Sequence, residues 1–166
     1  MRCYMIACTA AALLAAPAAA QSGNNETRTG STNAQVVRPL VLSHWSGFAL
    51  RFGRFTVGNT AGTVSVTTSG SASAAGGVAF VSGSSTSSDR MIVQGDPNRL
   101  VAITTGPGSV SNGSASMTFS TVPSLPAGYI PFVGSGYFTV GGTLNVPSGQ
   151  GAGSYSGSYP VTVSYN

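Results

Sequence analysis

The chain has 166 residues, a formal net charge of +4, 23 glycines and only 6% charged residues. It has no lysine, and its arginines are scattered without runs or aromatic interleaving, which argues against a nucleic-acid footprint. An apolar content of 42% is too high for disorder, although the polar residues are mostly Ser, Thr, Gly and Asn.

Met1-Arg2 supplies a short positive start, and Ile6 to Ala16 is apolar and rich in Ala and Leu. Pro17-Ala18-Ala19-Ala20 ends in an A-x-A pattern before Gln21. Residues 1–20 therefore read as a secretory signal peptide. The run is too short for a membrane anchor, and no later segment could span a bilayer as a helix. The expectation is an exported protein, in the periplasm, at the cell surface or outside the cell, with no integral membrane segment after cleavage. Both cysteines, Cys3 and Cys8, lie in the signal, so the remainder must hold together by core burial alone. A domain of that length buries roughly 70% of its unfolded surface, so no disulfide is required.

Residues 21–33 are polar, with Gly23, Asn24, Asn25 and Gly30, and read as a flexible arm. Residues 34–166 read as a single β-sandwich domain. The first strand is expected over Gln35–Leu42, broken or at an edge because Pro39 lacks an N–H. Phe48–Val57 is expected next, with an irregularity at Gly53, then Thr63–Thr67 and Gly77–Val81. Arg90–Gln94 and Leu100–Thr104 flank the turn cluster Gly95-Asp96-Pro97-Asn98. Ala115–Val122 alternates Met117 and Phe119 with polar partners. Tyr137–Val140 and Thr143–Val146 flank Gly141-Gly142, which suits either a turn or one flexed strand.

The chain closes on Tyr159, Val161, Val163 and Tyr165 on one face, with Ser158, Thr162 and Ser164 on the other. That period of two marks a half-buried strand and raises the question of what pairs with it. No segment after the signal sustains a helical period. Many short strands with Gly-, Pro- and Asn-rich connections predict an all-β fold, an immunoglobulin-like antiparallel β-sandwich of pilin or adhesin type. A closed barrel is also compatible with the pattern.

The stretch Gly141–Pro147, the Gly149–Gly157 run and the ending Tyr159–Asn166 resemble the C-terminal signature of a secreted Gram-negative family. That family is known only as domain of unknown function 4402. Val36–Leu40 followed by Leu50-Arg51-Phe52-Gly53-Arg54-Phe55 is similar to its early strand and its L-x-F-G element. The family has no established activity. Its layout is similar to spore-coat-U-like and fimbrial subunit domains, in which a neighbour's arm completes the sheet by strand addition. This chain departs from them in lacking a cysteine after the signal. Thr27, Thr29 and Ser31 also offer little to fill an apolar groove.

The resemblance implies a structural or adhesion protein, such as a pilus- or coat-like subunit. Its partners would be itself, by strand exchange, and a periplasmic chaperone. The assembly edge is expected from Val36, Leu40 and Leu42 as the completing strand and from Val161, Val163 and Tyr165 as the edge it meets. Self-completion and exchange between copies are both open. The second reading is a monomeric ligand- or glycan-binding module using His44 and Trp45 in the turn after the first strand. The structural alternative for these two is a cover over the end of the sandwich.

No catalytic, cofactor or metal site is expected, and the chain does not read as an enzyme. The acidic residues are Glu26, Asp89 and Asp96, and the last two read as turn residues. One histidine and no cysteine beyond the signal leave no zinc site. Gly149-Gln150-Gly151-Ala152-Gly153 precedes a strand, not a helix, so it is no phosphate loop.

Overall fold

A computed structural model describes residues 27–131 and 133–166. The stretches expected to be a signal peptide and the first part of a polar arm, residues 1–26, lie outside the described residues. The chain divides into residues 1–35 and 36–166. Residues 27–35 are exposed and carry no regular secondary structure. The second unit is all-β, with no helix among the described residues.

The strands are β1 (Val41–His44), β2 (Phe55–Val66), β3 (Ala72–Phe80), β4 (Asp89–Gln94), β5 (Leu100–Thr105) and β6 (Gly108–Ser111). They continue with β7 (Ser116–Pro123), β8 (Ala127–Tyr129), β9 (Ser135–Val146), β10 (Ser156–Ser158) and β11 (Val161–Tyr165). The larger sheet runs β1-β4-β9-β7-β6-β10, with β2 also on β9 and β3 outside β2. The smaller runs β11-β5-β8. Among the described residues both sheets have open edges and no closed barrel is formed.

β9 organises the larger sheet. Ser135–Val140 pairs with β4, and from Gly142 to Val146 β2 takes over on the same side. β7 pairs along the other side from Val140 to Leu144. Gly141 and Gly142 sit at this handover. A Cβ on Gly141 would lie 2.5 Å from the carbonyl oxygen of Val66, and one on Gly142 would lie 2.6 Å from that of Ser120. Gly141-Gly142 is thus the middle of one flexed strand, not a turn.

Two apolar clusters follow from the period-two faces. Val64, Leu144 and Phe119 form one cross-strand row and are buried with Val78, Met117 and Val146. Phe52 and Tyr159 each pack edge-on against Phe119, with ring centroids 5.5 and 6.0 Å away. In the second cluster, Val101 and Ile103 of β5 meet Phe138 and Val140 of β9, together with Ile130. The smaller sheet therefore covers the β4–β9 part of the larger one, which fits an immunoglobulin-like sandwich. Burying each large apolar side chain contributes about 1.5–3 kcal/mol.

The boundaries differ from expectation where proline and glycine intervene. β1 starts two residues after Pro39, so residues 35–40 are not strand. Residues 48–54 form a loop rather than the start of the second strand, with Gly53 at a φ of +79°. The strand expected at 63–67 is the far half of β2, which runs through a register shift between Val57 and Gly62. β6, β8 and β10 are short and rich in Gly, Ser and Ala, and they form because longer strands present an edge to them.

Candidate functional site

The residues expected to form one assembly edge lie in different places. Val36 is outside any strand and 96% exposed. Leu42 lies in β1 opposite Val93, so the first strand meets β4 and not β11. Leu40 packs against the second apolar cluster. A Cβ on Gly95 would touch the Tyr165 hydroxyl, Ile130 and Leu40, so only glycine leaves room for these three side chains. The Tyr165 hydroxyl donates to the carbonyl of Arg38 and accepts from the N–H of Asp96, each at 2.7 Å. Leu40 and Tyr165 therefore meet through side chains, without a strand ladder.

Among the described residues β11 pairs with β5 on one side only. The N–H of Asn166 donates to Leu100, and that of Gly106 to Pro160. In an antiparallel ladder this alternation turns Thr162 and Ser164 toward β5. The backbone groups of Val161, Val163 and Tyr165 then face the open side. Their side chains are half-buried at the margin of the second cluster.

His44 and Trp45 diverge. His44 is the last residue of β1, and its Nε2 lies 2.7 Å from Asp89 Oδ1. Asp89 is not a turn residue: it opens β4 opposite Val140 and is only 4% exposed. Its Oδ1 also accepts the Arg90 backbone N–H, and its Oδ2 accepts the Tyr159 hydroxyl, both at 2.7 Å. A buried carboxylate is tolerable only with such partners. The node joins β1, β4 and the segment entering β11. No sequence motif marks it, because its members are 45 and 70 residues apart.

Burial, then the hydrogen bond to Asp89, then the charge of that carboxylate push the Tyr159 phenol well above its ordinary 10.0. The folded protein thus keeps this proton where the unfolded chain releases it. Stability is expected to be independent of this group below about pH 9 and to fall as pH rises past about 10. Urea unfolding at pH 8 to 11 checks this. Tyr159→Phe should show a shallower fall, and an equal slope would contradict the assignment.

Trp45 points to the opposite face. Its ring packs edge-on against Phe48 and Tyr137 at 5.9 and 5.8 Å. Gly47, at a φ of +88°, lets the turn Trp45-Ser46-Gly47-Phe48 close. The Arg90 guanidinium sits among the three rings. Among the described residues, no three of His, Cys, Asp and Glu cluster as metal ligands, and no helix is long and apolar enough to cross a membrane.

The family profile for Domain of unknown function (DUF4402) matches residues 44–165. The chain belongs to this family. Neither the curated proteins nor the solved structures contain a match to it. The DUF4402 match begins at His44 and ends at Tyr165, so it includes the Asp89 node, the ring cluster and β11.

Proposed function

We propose that this DUF4402 protein is an exported structural or adhesion-type subunit, pilus- or coat-like, that associates with further copies through the open edge of β11. The observation that carries this reading is the edge itself. Val161, Val163 and Tyr165 leave backbone donors and acceptors without a strand partner among the described residues, beside apolar side chains that are only half-buried. Such an edge recruits an added strand. A periplasmic chaperone would hold the same edge before assembly.

The register supplies the test. Val163→Pro removes an N–H that faces the open side and leaves the bonds to β5 in place. Thr162→Pro removes one that faces β5 and should destabilise the domain by on the order of 2 kcal/mol. Light scattering on the exported protein is expected to show association of the wild type and a folded, non-associating Val163→Pro variant. A wild type that stays monomeric at high concentration, or a Val163→Pro variant that associates unchanged, would sink this reading.

A further inference from the structure

We infer that the outer face of β1, β4 and β9 binds a carboxylate-bearing sugar, with Arg90 holding the carboxylate. The site lies on the larger sheet and is independent of the β11 edge.

The pairing registers place two rows on this face. Trp45, Arg90 and Thr139 form one, and Ser43, Ile92 and Tyr137 the other. Asp89, Met91 and Val93 alternate to the inner side. The Arg90 guanidinium carbon lies 4.2 Å from the Phe48 ring centroid and 5.0 Å from those of Trp45 and Tyr137. Among the described residues no carboxylate pairs with this charge. The two described aspartates lie elsewhere: Asp89 is buried on the other side, and Asp96 pairs with Arg99 at 3.2 Å. Among the described residues no hydrogen bond from the Arg90 side chain is formed. Its Nε is enclosed without a partner, whereas the terminal nitrogens remain accessible.

Three rings thus fix a guanidinium and leave the end of its fork free. A fixed fork is suited to bidentate capture of a carboxylate, because little freedom is lost on binding. The surroundings favour a sugar. Tyr137 is 58% exposed and offers an aromatic face beside the charge. The Ser43 and Thr139 hydroxyls stand in the same rows and are not engaged in hydrogen bonds of the protein. Uronic acids combine these needs: one carboxylate, several hydroxyls and an apolar ring face. An acidic peptide carries its carboxylates on flexible chains and lacks the hydroxylated ring that would lie on Tyr137.

The test is calorimetry of exported protein with trigalacturonate, its neutral methyl ester and triglutamate. Trigalacturonate is expected to bind at least about tenfold more tightly than the ester, the scale of one charge-assisted contact. Arg90→Gln should lose at least about tenfold, and Tyr137→Ala, at an exposed position that leaves folding intact, about fivefold. Val163→Pro should bind like the wild type, which separates this site from the β11 edge. Equal binding of ester and acid, triglutamate bound as tightly as trigalacturonate, no binding of trigalacturonate, or a folded Tyr137→Ala variant with unchanged affinity would each overturn the inference.

Discussion

Asp89→Ala is expected to destabilise the domain by about 3–5 kcal/mol, a large share of the roughly 5–15 kcal/mol that holds a typical domain together. The carboxylate accepts from His44, Tyr159 and the Arg90 backbone, and it is almost completely buried. Its removal leaves the Tyr159 hydroxyl and the Arg90 N–H without their acceptor, and each stranded donor costs about 1–3 kcal/mol. The loss also unties β1 from the segment that leads into β11. Urea unfolding at pH 7 is the measurement. Asp89→Asn keeps the shape and part of the bonding, so it should fall between wild type and Asp89→Ala. A loss below about 1 kcal/mol for Asp89→Ala would show that the node contributes little to stability.

Gly141→Val should be of similar severity, at least about 3 kcal/mol, at the upper end of what overpacking costs. A Cβ there would lie 2.5 Å from the Val66 oxygen and 2.8 Å from Thr67 C and Thr68 N, all of them backbone atoms. Side chains can turn away from an intruding methyl group, whereas these atoms cannot move without breaking the β2–β9 ladder. The neighbouring Gly142 faces the Ser120 oxygen on β7, so the strand is confined on both sides. Failure to fold, read by circular dichroism and by loss of recoverable protein, is the expected result. A stable Gly141→Val protein would mean that β9 is not bent through this point. Gly134→Val is a useful contrast for glycine loss in the adjoining turn, where the φ of +75° rather than an abutting strand imposes the cost.

Several strands were legible because they carry their own period. β7 alternates Met117 and Phe119 inward with Ser116 and Thr118 outward, and the structure buries the first pair and exposes the second. β4 and β5 were likewise found to within a residue of their observed ends, since each alternates beside strong turn residues, whereas the terminal run divides at Tyr159-Pro160 into β10, which holds Ser158, and β11. Asn98, at a φ of +57°, is where the Asp-Pro-Asn cluster placed the turn between β4 and β5. The family resemblance was likewise legible, in the glycine and tyrosine pattern of the last third and in the Leu50–Phe55 element.

The candidate site was less legible. Trp45 stands out as the single tryptophan, and its exposure on a surface fits either reading of that turn. Its ring-cluster partners Tyr137 and Arg90 carry no local signal, because Asp89 beside Arg90 reads as a turn residue and Tyr137 as part of a strand. In the strand the two side chains take opposite faces, and each finds partners far along the chain.

Sequence alone determined the class of this protein. Period-two alternation, few charges and frequent turn residues leave an antiparallel all-β domain as the consistent outcome, since each is a local property of the backbone and its side chains. Tertiary structure alone decided which strand meets which. Residues 35–42 are apolar enough to pair with either open neighbour, and only packing sends β1 to β4 and leaves one side of β11 uncovered. Tertiary structure also decided the fate of the charges. Strand alternation turns Asp89 inward and Arg90 outward, but whether a buried carboxylate finds donors depends on residues brought in from His44 and Tyr159. Hydrogen bonds act over about 3 Å and rings over about 6 Å, so no sequence pattern reports them until the chain has folded.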